Sequence, residues 1–143
     1  HAAHRRHYVH VKRSYDVMFF AVLIALVLFM TGFLQYKPVA ILSDSMQPVY
    51  GRGSMVIVQT VTDPMDISIG DIIQYTTTDK VITHRVQEIK PASDGSGDRT
   101  FVTKGDNNSS ADPPIKASQA TGIIKAQVPY IGYPTIWLRA LTR

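Results

Sequence analysis

Hydrophobic and polar positions follow two different patterns along this chain. Residues 17–34, VMFFAVLIALVLFMTGFL, are an unbroken apolar run whose one polar side chain is Thr31. No polar face interrupts it, as an amphipathic helix packed on a soluble core would require. Extended to Tyr36 the run reaches about 20 residues, enough for a helix to cross ~30 Å of hydrocarbon with its backbone groups satisfied. A cleavable leader needs only a short apolar core and a small-x-small site, whereas QYKPVAIL follows here. The pattern predicts a retained transmembrane anchor over residues 16–36, a basic tail over 1–15 and a separate domain over 37–143.

Beyond residue 50 the pattern changes to short β-type runs between Gly, Asp and Pro clusters. Strands are expected in MVIVQT (55–60), IIQYTT (72–77), VITHRVQEI (81–89), RTFVTK (99–104) and TGIIKAQV (121–128). DPMDISIGD (63–71), PASDGSGD (91–98) and GDNNSSADPP (105–114) carry turn and loop chemistry. No helical period and no internal repeat is seen in this part. The fold class expected is mostly β: one N-terminal transmembrane helix, then a small all-β domain with a closed or partly open barrel-like sheet. The last segment, PYIGYPTIWLRALTR (129–143), is apolar, aromatic and broken by Pro134. It suits a final strand and turn, or the start of a second membrane-associated segment.

Charge supplies a direction. The net +4 of the 143 residues is concentrated in the tail, where Arg5, Arg6, Lys12 and Arg13 face Asp16 alone. Lys and Arg beside a span stay cytoplasmic, so residues 37–143 are expected on the extracytoplasmic side. The remainder is nearly balanced, which argues against a nucleic-acid surface. A basic juxtamembrane tail marks topology and anionic lipid instead. His1, His4, His7 and His10 are read as part of an exposed tail, with metal binding the weaker alternative. With no cysteine, disulfides and thiolate metal sites are excluded. A chain that opens on His rather than Met is expected to be a piece of a longer protein.

Three polar places stand out. Ser43-Asp44-Ser45-Met46-Gln47-Pro48 follows the apolar run closely, and Ser and Asp there also suit a turn or a helix cap. His84, in VITHRV, shares a strand face with Ile82 and Val86 by alternation. That places it inward, as a hydrogen-bonded core histidine or as a neutral base. The loop KGDNNSSADPP offers Asp106 and Asp112 as carboxylates that orient an imidazole, or as ordinary Asx turns. Its NNS and NSS triplets match glycosylation sequons formally, but a glycan would obstruct a working site. Ser, His and Asp make a hydrolase when hydroxyl, imidazole and carboxylate lie in series, and triads occur in several chain orders.

The box S-D-S-M-Q-P after an N-terminal anchor resembles the S-x-S-M-x-P box of type I signal peptidases. G-D-I-I-Q-Y, V-I-T-H-R-V, F-V-T-K-G-D-N-N with a second Asp six residues on, and V-P-Y-I-G-Y resemble the later boxes in the same order. The resemblance covers nearly all of residues 36–133, and the ordered set is specific where single boxes are not. T-H-R-V resembles the Ser–His branch, as in archaea, the endoplasmic reticulum and some Gram-positive bacteria; other bacterial relatives carry lysine there. The resemblance implies Ser45 as nucleophile, His84 as general base, Asp112 as the orienting carboxylate and Asp106 as a second acid. It implies an oxyanion hole from the Ser45 N–H and the Ser43 hydroxyl. Relatives often have an acid before the second aspartate, where Ala111 stands here.

The function so implied is a membrane-anchored serine endopeptidase that cleaves signal peptides from exported precursors, without cofactor or metal. Expected partners are those precursors and the lipid bilayer, with no nucleic acid and with accessory membrane subunits unspecified. The membrane is the cell membrane, or that of the endoplasmic reticulum with the domain in its lumen. Met46, Val49 and Tyr50 are expected to add apolar surface toward the bilayer or the substrate. Two alternatives stand beside this reading. One is a non-catalytic, membrane-tethered β module that binds exported partners in a secretion or pilus assembly. The other is a self-cleaving repressor-type protease, against which the anchor and the lack of an Ala-Gly pair both count.

Overall fold

The computed structural model describes residues 2–92, 95 and 97–128, with side chains from residue 12 onward. The segment 129–143 and the side chains of the four tail histidines lie outside these.

One long helix, α1 (Ala2–Met30), opens the chain. It begins inside the basic segment, and its stretch Lys12–Met30 is long and apolar enough to cross a membrane. It ends earlier than the apolar run does, for a local reason. Gly32 takes φ +74°, its N–H reaches Phe29 O at 3.1 Å, and Phe33 N–H reaches Leu28 O at 3.2 Å. This paired closure around a left-handed glycine is the Schellman stop. Phe33 and Leu34 continue the hydrophobicity beyond the helix, exposed.

Among the described residues seven strands follow: β1 (Tyr36–Ala40), β2 (Met55–Thr60), β3 (Ile72–Thr76), β4 (Val81–Lys90), β5 (Thr100–Lys104), β6 (Ile115–Lys116) and β7 (Ala120–Val128). They make one antiparallel half-barrel sheet in the order β1-β2-β7-β3-β4-β5-β6. The mostly-β class and the five expected strands agree with the sequence reading. Two strands were not foreseen. β1 contains Pro38, which has no amide proton and is tolerated because β1 is an edge strand. β6 has two residues only, paired to β5. Among the described residues the helical structure in the β domain is two single 3₁₀ turns, Pro64–Asp66 and Ala117–Gln119.

β7 runs between β2 and β3 and joins the two halves of the sheet. Gly122 permits this, since a Cβ there would lie 2.2 Å from Val58 Cγ1. β3 is buried on both faces. Ile73 and Tyr75 pack with Ile67, Val86, Phe101 and Ile123, while Ile72 packs with Ile41, Met46, Tyr50, Val56 and Val58. A strand covered on both sides has no apolar–polar alternation, hence the run IIQY. Each fully buried aliphatic or aromatic side chain is worth roughly 1.5–3 kcal/mol over exposure.

Candidate active site

The turn after β1 is built around Asp44. Its Oδ1 accepts the Arg52 N–H at 2.9 Å and Gln47 Nε2 at 3.0 Å. Met46 is 1% exposed and Tyr50 8%, both in the second core cluster. They are thus the apolar anchors of the turn: Tyr50 does not add the surface expected of it, whereas Met46 also lines the groove described below. Val49 alone of the three is exposed. With Met46 pinned inward, Ser45 is left half-buried at the rim of the turn.

β4 supplies the next group. His84 is directly opposite Ile73 in the β3–β4 register, so both face the first core cluster, and the imidazole is buried. Its Nε2 lies 3.1 Å from Ser45 Oγ and its Nδ1 2.5 Å from Asp112 Oδ2. A carboxylate can only accept, so Nδ1 carries the proton and Nε2 is left as the acceptor facing the serine hydroxyl.

Asp112 is fixed by β3 and β5. Its N–H donates to Thr103 O at 2.8 Å, and Oδ2 also accepts Thr103 Oγ1 at 2.8 Å and the Tyr75 hydroxyl at 3.2 Å. Burial, with the nearby Asp112 charge adding to it, pushes the Tyr75 phenol up to about 12 despite its bond from Thr103. Tyr75 therefore remains a protonated donor to Asp112 throughout the neutral range. Neither Tyr75 nor Thr103 was foreseen as part of the site; alternation along β3 and β5 could place them on a face but not beside a particular carboxylate.

Asp106 sits elsewhere. It forms a two-pronged ion pair with Arg85, Nε to Oδ1 at 2.9 Å and Nη2 to Oδ2 at 2.8 Å, while Arg85 Nη1 donates to Gly70 O at 2.8 Å. The bonds from Arg85 hold the Asp106 carboxyl below its ordinary range, against a smaller opposing effect of burial. Of the two acids proposed from the sequence, Asp112 alone is in series with His84 and Ser45. Asp106 does not hydrogen-bond to either of them, because Arg85 points to the opposite face of the strand from His84.

The loop between β5 and Asp112 holds the turn from behind. Asn107 N–H donates to Ser45 O at 2.9 Å and Asn107 Nδ2 to Asp44 O at 3.2 Å. Gly105 makes this approach possible: a Cβ there would lie 2.6 Å from Ser45 O and 2.9 Å from His84 Nε2. Gly105 was read only as loop chemistry, since nothing in KGDNN says what the loop presses against. Ser43 Oγ lies 3.2 Å from Ser45 Oγ, and the Ser45 N–H makes no hydrogen bond among the described residues. Three lysines near His84 in sequence, Lys80, Lys90 and Lys104, are the alternatives to it as base: Lys80 lines the groove described below, Lys104 is opposite Arg85 in register, on the face away from His84, and Lys90 lies 3.8 Å from Glu88 on the surface.

A groove of about 760 Å³ opens over these groups. One side is β1 and its extension, residues 37–42; the other is residues 80–84, with Ser45, His84 and Asp112 between them. Both sides are open strand edges. β1 pairs only with β2, and β5 joins β4 only from Arg85 onward.

A hydroxyl, an imidazole and a carboxylate in series, beside a groove between strand edges, make the arrangement that serine-hydrolase chemistry uses. Comparison with known proteins then points to a family. The chain is 32% identical over 111 residues to the signal peptidase complex catalytic subunit SEC11 of Lachancea thermotolerans, covering 70% of this chain and 64% of that protein. The same figures hold for SEC11 of Zygosaccharomyces rouxii. Signal peptidase I W of Bacillus subtilis is 36% identical over 78 residues, 54% of this chain and 40% of that one. No protein-family model matches. These similarities are all to type I signal peptidases, the SEC11 matches lying on their endoplasmic-reticulum-like branch. The chain spans a little under two thirds of the length of the SEC11 relatives.

Proposed function

We propose that this chain is a membrane-anchored serine endopeptidase that removes signal peptides from exported precursors. The observation that carries the reading is the 3.1 Å approach of His84 Nε2 to Ser45 Oγ, with Asp112 on the other ring nitrogen. Ser45 Oγ attacks the scissile carbonyl while His84 Nε2 takes its proton, then returns it to the departing amine. Asp112 keeps the ring in the needed tautomer and stabilises the imidazolium. The Ser45 N–H and the Ser43 hydroxyl donate to the oxyanion. Water, deprotonated by His84, releases the acyl group and restores the serine. Asp106 holds Arg85 and through it the loop, as a positioning residue.

The two open edges suit an extended peptide laid between β1 and β4, which gains main-chain hydrogen bonds and sends alternate side chains to one wall. Small residues at −1 and −3 are expected there. The stretch Lys12–Met30 serves as the anchor, with the basic flank cytoplasmic and residues 37–143 on the extracytoplasmic or lumenal face. Ser45, a few residues past the anchor, would then meet substrates where they leave the bilayer. The SEC11 relatives are named as catalytic subunits of a complex, so accessory membrane subunits belong to the reading as candidate partners.

The test is processing of a membrane-inserted precursor by the full chain in vesicles. Ser45→Ala should lose about 10⁴-fold or more of the rate. Normal processing by that variant would leave the non-catalytic β module as the reading. Added protease, acting on the same vesicles, reports which side carries residues 37–143.

A further inference from the structure

We propose that Gln74 makes one wall of the groove a hydrogen-bonding subsite, so that the chain favours precursors with serine or threonine at a wall-facing position beside the scissile bond. The proposal rests on the peptidase reading above and adds a preference to it.

Gln74 occupies an unusual place for an amide. It lies in the middle of β3, the strand buried on both faces, and is itself only 7% exposed. Alternation puts its side chain on the face of Ile72, whose neighbours are Ile41 and Met46. Both of these also line the groove, as does Gln74. The amide thus stands where the second apolar cluster gives way to the groove. Its cross-strand partner is Thr83, which lines the groove too and immediately precedes His84.

The side chain makes no hydrogen bond among the described residues. Only the Gln74 backbone carbonyl does, accepting Thr121 Oγ1 at 3.1 Å. Nor is it sealed off, since the sole side-chain polar atom among them that is both fully buried and unpartnered is Arg99 Nε. The amide's free valences therefore face the groove.

This sets a preference. An extended peptide in the groove turns alternate side chains, −1 and −3, toward one wall, and −2 away from it. A valine or alanine against Gln74 displaces solvent and leaves the amide unpaired, which is costly in a dry site. A serine or threonine hydroxyl of similar size can both donate to the amide oxygen and accept from its nitrogen. A site built to hydrogen-bond discriminates against the analogue that lacks the group.

The experiment compares matched precursors with the full chain in vesicles: Ser against Ala at −1, and Thr against Val at −3 and, as a control, at −2. The expected result is a roughly threefold to tenfold higher kcat/KM for the hydroxyl member at −1 or −3, with none at −2. Gln74→Leu should bring that ratio to one or below. Ratios of one at both −1 and −3 in the unmodified chain overturn the proposal and leave the peptidase reading intact. Persistence of the preference in folded Gln74→Leu overturns it as well. If that variant does not fold, the unmodified chain decides, because −2 is its internal control. No cleavage of any precursor overturns the peptidase reading, and the subsite with it.

Discussion

His84 and Arg85 are neighbours on β4, and each is paired with an aspartate from the same loop. His84 faces the core and meets Asp112, which is held by Thr103 and Tyr75 and, among the described residues, is hydrogen-bonded to no lysine or arginine. Arg85 faces the other way and meets Asp106, with about a third of the guanidinium side chain still exposed. The two pairs look alike in sequence and differ in physics. A carboxylate held by neutral donors is left to orient the ring beside it. A carboxylate beside a permanent cation is already neutralised and serves as a clamp. Strand alternation sorts them: the loop grips β4 from both faces, and in the proposed reading one grip serves chemistry and the other position.

The largest expected effect breaks this comparison at its catalytic half. Asp112→Asn should lower kcat by about 10⁴-fold, since an amide in that place no longer fixes the productive tautomer. Asp106→Asn should cost far less in turnover. If the two effects are reversed while both variants remain folded, the assignment of the pairs is wrong.

Gly105 lies between the two grips. Gly105→Ala should lower kcat by on the order of 10²-fold, because a displacement near 1 Å at a reacting pair has that consequence. The added Cβ would push on Ser45 O and His84 Nε2. Single-turnover kinetics beside a thermal melt would show the loss. An unchanged kcat in the folded variant would remove Gly105 from the site.

The clamp half is tested by stability. Asp106→Asn should cost roughly 1–2 kcal/mol, discounted for partial exposure, or about 5–10 °C in Tm for a domain of this size. The sign of the pH dependence follows from the depressed carboxyl. The pair's contribution is present above the ordinary aspartate value of 3.8 and is lost as pH falls below it toward the folded-state value. Melts of both chains on descending pH should therefore converge in that acid window. A Tm difference that stays constant through it would argue against the ion pair as the source of stability.

The smallest effect is expected from the lysines. Lys80→Ala, Lys90→Ala and Lys104→Ala should each keep turnover within a few-fold of the original in the precursor assay. Lys104 shares a face with Arg85 rather than with His84. Loss of turnover in one of them, with His84→Ala unaffected, would replace the imidazole by an ammonium as base.

Much of this was legible in advance. The apolar run marked a membrane-length helix because lipid leaves no alternative to hydrophobic side chains. Alternation in VITHRV turned His84 inward with Val86, as found. The β class was readable from short runs and turn residues. Other features depended on contacts between segments distant in the chain. Tyr50 in SMQPVY was expected at the surface because no local pattern reveals that the turn folds back on Ile41 and Val56. β1 was missed because Pro38 disguises it, and an edge strand tolerates proline only where its partner lies on the other side.

The sequence by itself determined which groups were available: a serine just past an apolar helix, one histidine in the β domain, and two aspartates in one loop. Local chemistry also determined where α1 stops, through Gly32. Which aspartate meets the imidazole was decided only by the tertiary structure. Asp106 and Asp112 are equivalent as loop residues. What separates them is the face of β4 that each reaches, and that depends on β5 pairing with β4 and on Gly105 letting the loop close against Ser45.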